Sequence, residues 1–142
     1  MNTKKFLFAA VGYIIVTFII AAGWHLVLFK SVYAELGIFT RKEPLIPLGL
    51  ISMVIQGVVL AYLYPFFKKD GTPMKDGLKF GLLMGIFMGS NAVFAEAGKN
   101  EVTSLSTWLL LESIYYIVQF AITGTVIGLI FGKTSGESHS HF

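Results

Sequence analysis

Four blocks of apolar residues, each long enough to cross a bilayer, restrict the fold of this chain more than anything else in it. They cover residues 6–29, 45–67, 78–98 and 107–131. Hydrocarbon offers no water to satisfy backbone N–H and C=O groups, so a spanning segment must close its own hydrogen bonds as a helix. About 20 apolar residues make a helix that matches the core thickness of a bilayer. The sequence therefore predicts an all-α protein, an integral membrane bundle of four transmembrane helices. It forms a single domain over residues 1–142, with a polar tail at residues 134–142. Composition agrees, since only 13% of the residues are charged, against about 25% in a soluble domain.

The ends of the blocks carry the expected punctuation. Lys4 and Lys5 precede the first, and Lys68 and Lys69 follow the second. Pro44 and Pro47 flank the start of the second, where a missing N–H costs nothing. Pro65 falls in its last turn, which predicts a kink or an early stop. Asp70-Gly71-Thr72-Pro73 is a turn signal before the third block, and Gly132 with Lys133 closes the fourth. Trp24, Tyr33, Tyr62, Tyr64 and Trp108 lie near block ends, as aromatics of the membrane interface do. Ala21-Ala22-Gly23 has the small residues of a signal-peptide cleavage site. The apolar run before it is longer than such a peptide needs and continues past it, so the block reads as a span.

Four spans bring both termini to one side. That side carries Lys4, Lys5, Lys68, Lys69, Lys75, Lys79 and Lys133; the other carries Lys30, Arg41, Lys42 and Lys99. The excess predicts cytoplasmic termini by the positive-inside rule. The lysines stand singly or in pairs at block ends, which makes the net charge of +3 a membrane feature and points to no nucleic acid. The chain has no cysteine, which excludes disulfides, thiolate metal sites, iron–sulfur clusters and cysteine nucleophiles. It also lacks the P-loop, GxGxxG, HExxH and GxSxG patterns of soluble enzymes, and no cofactor is expected.

Two blocks carry glycines four residues apart: Gly81, Gly85 and Gly89 in the third, Gly124, Gly128 and Gly132 in the fourth. Such spacing makes a shallow groove on one helix face, and in lipid close packing drives helix association. The expectation is a tight hairpin of spans three and four, with Gly81 level with Gly132 and Gly89 level with Gly124.

Ionisable residues inside a span are costly and each needs a reason. They are His25, Glu96 and Glu112, with Gln56, Ser90, Asn91, Ser113 and Gln119 as uncharged companions. Topology places His25, Asn91, Glu96 and Glu112 in the half of the membrane away from the termini, as an intramembrane polar cluster. Three readings stand. The cluster is structural, with Glu112 and His25 hydrogen-bonded to each other or to Asn91, and Glu96 reaching the interface beside Gly98 and Lys99. It is a proton or cation site. Or it is a metal site, since an imidazole with two carboxylates suits zinc, manganese or non-haem iron. A single intramembrane histidine excludes bis-histidine haem ligation within one subunit, and His139 and His141 in the tail read as a solvated end.

The stretch Gly23-Trp24-His25-Leu26-Val27-Leu28-Phe29-Lys30, followed by Tyr33-Ala34-Glu35-Leu36-Gly37-Ile38, resembles small bacterial four-span membrane families catalogued only as domains of unknown function. Their first span ends with an aromatic, then a Phe/Tyr-rich basic stretch closing on Leu-Gly. The third span, with Phe80-Gly81-Leu82-Leu83-Met84-Gly85, is similar to theirs. So is the fourth, acidic near its start and glycine-rich near its end. The resemblance runs from Phe6 to Lys133 and departs at His25, where related proteins carry another aromatic. It implies a multi-pass protein of the bacterial inner membrane and carries no activity.

Small size, short loops and packing glycines point to a non-catalytic protein whose partners are the lipid bilayer and either further copies of itself, as a homo-oligomer, or other subunits of a membrane complex. The alternative is an oligomeric transporter of a small solute, proton or ion, with His25, Glu96 and Glu112 lining an aqueous cavity. A third reading is an enzyme acting on a lipid or a quinone at the face opposite the termini.

Overall fold

A computed structural model of the chain describes residues 1–69 and 71–132. Asp70, Lys133 and the tail with His139 and His141 lie outside the described residues. Helix α1, Thr3–Ala22, starts where the Asn2 side chain accepts a hydrogen bond from the Lys5 backbone N–H, a cap that satisfies one of the open donors of a first turn. It runs directly into a π-helical turn, Gly23–Leu28, and then a short helix α2, Lys30–Leu36, which Gly37 ends at φ 73°. Helix α3, Ile46–Phe67, has Pro47 in its first turn and continues two residues past Pro65. Helix α4, Pro73–Gly89, is capped by the Thr72 hydroxyl. It passes into a second π turn, Ser90–Ala95, and a last helical turn α5, Glu96–Lys99. Helix α6, Leu105–Phe131, is capped by Ser104 and stopped by Gly132.

The continuous helical segments Thr3–Leu28, Ile46–Phe67, Pro73–Lys99 and Leu105–Phe131 contain 26, 22, 27 and 27 residues. At 1.5 Å per residue they are roughly 33–40 Å long, enough for the bilayer core. The described residues contain no strand. The protein is therefore the all-helical, four-span bundle that its apolar blocks predict. The third span begins five residues earlier than its apolar block, at Pro73, because Thr72 and Pro73 together form a helix start ahead of the charged residues Lys75 and Asp76.

Polarity is inverted relative to a soluble domain. Val27 and Phe87 are 73% and 71% exposed, while Thr17, Glu112, Gln119 and Thr123 are buried. That surface suits acyl chains.

Side by side the spans lie in the order α3, α1, α6, α4: α4 packs most extensively on α6, α6 on α1, and α1 on α3, whereas α3 barely meets α4. Neighbours are antiparallel. Lys5 donates to the Phe131 carbonyl at one end, here called the terminal end, and His25 meets Glu112 toward the other, distal end.

The expected α4–α6 hairpin is present, but its register differs. A Cβ added at Gly81 would lie 2.9 Å from Gly124 Cα, and one at Gly77 would lie 2.9 Å from Gly128 Cα. Gly85 faces Phe120, and Gly89 faces Tyr116 with 3.2 Å between the added Cβ and that of the tyrosine. Gly81 is thus level with Gly124 instead of Gly132, and Gly89 with Tyr116 instead of Gly124. Gly132 takes no part in the groove; it ends α6 with φ 67°. Gly77 joins in its place. The cause is the connection. Only residues 100–104 link the two helical segments, so Lys99 and Leu105 are level. Every glycine partner is then set about two turns from where the expected pairing put it.

Candidate functional site

The distal end is built by two π turns. A π turn holds more residues than an α turn and so rotates the side chains that follow it; such turns recur at functional sites. The first carries Trp24 and His25. After it α2 folds across the end of the bundle and is pinned there: Thr103 N–H donates to the Leu36 carbonyl at 3.1 Å, and the Thr103 hydroxyl to the Glu35 carbonyl at 2.9 Å. Tyr33 and Leu36 of α2 pack with Trp108 of α6 in a second small core. The second π turn presents the Val93 carbonyl to the indole N–H of Trp108, at 2.9 Å.

Inside this end lies Glu112, only 4% exposed. Its Oε1 stands 3.2 Å from His25 Nε2, and its Oε2 accepts from the Tyr33 hydroxyl at 2.5 Å. The Tyr33 oxygen accepts in turn from the indole N–H of Trp24 at 2.9 Å, which leaves its own proton for Glu112. Burial first, and then the hydrogen bond to the Glu112 carboxylate, push the Tyr33 hydroxyl pKa up, so this group remains a donor. His25 Nδ1 lies 3.1 Å from the Ala21 carbonyl. A carbonyl only accepts, so Nδ1 carries a proton. The ring is held edge-on by Tyr115, 4.5 Å between centroids.

That arrangement has a consequence for protons. With Nδ1–H committed to Ala21, the contact between Nε2 and Oε1 needs one proton between two acceptors. Either His25 is an imidazolium against a carboxylate, or a neutral His25 accepts from a protonated Glu112. In both cases the pair holds one shared proton and is neutral as a unit.

The polar cluster expected from the sequence is therefore assembled in part. His25 and Glu112 meet directly. Glu96 lines the same cavity but pairs with Lys99 at 2.8 Å and with Asn100, without bonding to the other two. Asn91 does not join: it is exposed on the second π turn, and no side-chain hydrogen bond ties it to the cluster. Trp24 and Tyr33, which read as interfacial aromatics, are members of the cluster. The signal for Tyr33 is the Tyr33/Leu36 pair three residues apart just before Gly37, the apolar face of a short helix.

A cavity of about 420 Å³ adjoins the cluster, lined by His25, Glu96, Glu112, Phe39, Tyr115 and Tyr116 among others. Among the described residues no group of three or more His, Asp or Glu is placed to hold a metal ion. Deeper in the membrane a second polar set joins three helices: the Tyr13 hydroxyl donates to Gln56 Oε1 at 2.6 Å and accepts from Gln119 Nε2 at 3.3 Å.

No family model, no curated protein and no solved structure matches the chain. The resemblance to small four-span families thus rests on the sequence motifs alone, and function has to be argued from the geometry.

Proposed function

We propose that this chain is a non-catalytic, multi-pass protein of a bacterial inner membrane that self-associates, or joins other membrane subunits, through the open face between α3 and α4. One observation carries the reading. The two helices barely touch, and between them lies a groove of about 530 Å³, lined by Leu48, Ile55, Leu63, Met84 and Phe87, with Ser52 and Gln56 at mid-depth. Gln56 Nε2 donates to the Ser52 hydroxyl, which leaves one amide N–H and the hydroxyl proton without a side-chain acceptor among the described residues. Polar side chains facing lipid at that depth bind an adjacent helix. Because a carboxamide both donates and accepts, Gln56 can pair with its own copy.

Native mass spectrometry of the protein extracted gently from its membrane tests this. A dimer, or stoichiometric attachment to other subunits, is expected; a monomer with nothing attached would remove the reading. Interhelical hydrogen bonds in membranes contribute about 0.6 and up to about 1.7 kcal/mol. Gln56→Leu should therefore weaken association roughly three- to twenty-fold.

The proposed orientation places the terminal end in the cytoplasm. The chain has no cysteine, so single replacements report cleanly. Lys42→Cys should react with a membrane-impermeant maleimide in intact spheroplasts, and Lys69→Cys only after permeabilisation. The reverse pattern would invert the topology.

A second reading, an oligomeric transporter of a small solute or ion, is favoured by the distal cavity, in which a carboxylate and an imidazole share a proton beside open volume.

A further inference from the structure

We infer that the distal cavity binds a small organic monocation bearing an N–H, a protonated amine, whose N–H takes the place of the proton shared by His25 and Glu112. This deepens the transport reading by naming its ligand class, and binding can be measured apart from transport.

The argument begins with the proton. Remove it, and the Nε2 lone pair of His25 faces Glu112 Oε1 across 3.2 Å, two acceptors with no donor. Nδ1 cannot turn to help, because it is held on Ala21, and Glu112 Oε2 is already occupied by Tyr33. An ammonium N–H entering from the cavity supplies the missing donor to both atoms. Charge agrees with this. Glu96 is matched by Lys99, and the His25–Glu112 pair is neutral with its proton and −1 without it. One monocation therefore enters for each proton released to water, and no other bond changes.

The surroundings select an organic cation. The volume of about 420 Å³ corresponds to roughly a dozen waters at about 30 Å³ each, far more than a bare ion fills. A metal ion would need several ligands, and the described residues offer no group of three. The walls include Phe39, Trp108, Tyr115 and Tyr116, whose ring faces attract a cation. Tyr115 is 5% exposed and lines this cavity. The titratable groups around the pair are Tyr33 from α2, Glu96 with Lys99 from α5, and Tyr115 and Tyr116 from α6. None of these stands between His25 Nε2 and Glu112 Oε1.

The test is calorimetric titration of the purified protein in nanodiscs of zwitterionic lipid. Three probes that share a benzyl group are used: benzylamine, benzyltrimethylammonium and benzyl alcohol. Benzylamine should bind with release of up to one proton, read from buffers of different ionisation enthalpy. Its affinity should rise with pH by up to about tenfold per unit wherever the unoccupied pair still holds the proton that binding displaces, and level off where it does not. Benzyltrimethylammonium, which has no N–H, should bind about tenfold more weakly or worse, and benzyl alcohol not at all. Glu112→Gln should abolish both binding and proton release. Glu96→Gln, outside the hydrogen-bonded cluster, should weaken binding several-fold without changing the proton count, and it decides the matter should the first variant fail to fold. Benzylamine binding no tighter than benzyl alcohol, binding without proton release, or binding that survives Glu112→Gln would overturn the inference. Proton-linked binding without uptake into liposomes under a pH gradient would leave the site standing and remove the transport reading.

Discussion

Gly81→Leu is expected to leave no folded protein in detergent. Even the first carbon of a side chain at this position would be 2.9 Å from Gly124 Cα and closer still to the Phe120 carbonyl. Both are backbone atoms of α6, which cannot swing aside as a side chain does. The α4–α6 contact is the most extensive in the molecule, and in lipid such contacts hold helices together by close approach alone. Gly81→Ala already forces the helices apart and should cost about 1–3 kcal/mol, the range for overpacking a core. Leucine adds three more carbons aimed at the same backbone. Gly49→Ala is the control, since nothing lies within 4 Å of a Cβ there. Size-exclusion of fluorescent fusions reads all three, and a Gly81→Leu variant that elutes and melts like the parent would mean that the hairpin is packed in another register.

The second large effect comes from Glu112, where two substitutions separate structure from chemistry. Glu112→Leu removes both acceptors at once. Tyr33 then points a buried hydroxyl at hydrocarbon, and His25 Nε2 loses its partner. With about 0.6–1.7 kcal/mol per intramembrane hydrogen bond, a loss of about 1–3 kcal/mol is expected, together with the release of α2, which Tyr33 helps to hold. Glu112→Gln should melt within error of the parent. Its amide oxygen accepts from Tyr33, and its amide nitrogen donates to neutral His25. The variant has no proton to exchange, however, so any proton-linked property disappears. Equal stability of the leucine and glutamine variants would show that the two hydrogen bonds contribute nothing to the fold.

Parts of this arrangement are legible in the sequence, and the reason differs from residue to residue. His25 and Glu112 stand out because an ionisable side chain in an apolar block has no other account. Glu96 is equally conspicuous but lies near Lys99, and its local ion pair absorbs it. Asn91 is polar at the right depth, yet it points outward; depth is set by position along a helix, whereas facing is set by rotation, which the second π turn alters. Tyr33 and Trp24 were hidden for the opposite reason. An aromatic near a span end has an ordinary explanation at the membrane interface, and nothing in the linear pattern says that α2 folds back across the bundle.

The glycines follow the same division. Their four-residue spacing announces a packing face on each helix. Which glycine meets which depends on the length of the connection at residues 100–104 and on steric fit between two backbones, neither of which periodicity contains.

By itself, then, the sequence determined four helical spans, because the bilayer imposes its demand on each segment separately: hydropathy and length suffice when every backbone group must be satisfied within the helix. Only the tertiary structure decided the lateral order of the spans, the register of Gly81 on Gly124, the open face between α3 and α4, and the contact of His25 with Glu112. Those depend on contacts between residues as many as 126 apart in the chain, where the outcome is settled by close packing and hydrogen-bond geometry rather than by the preference of any one segment for lipid.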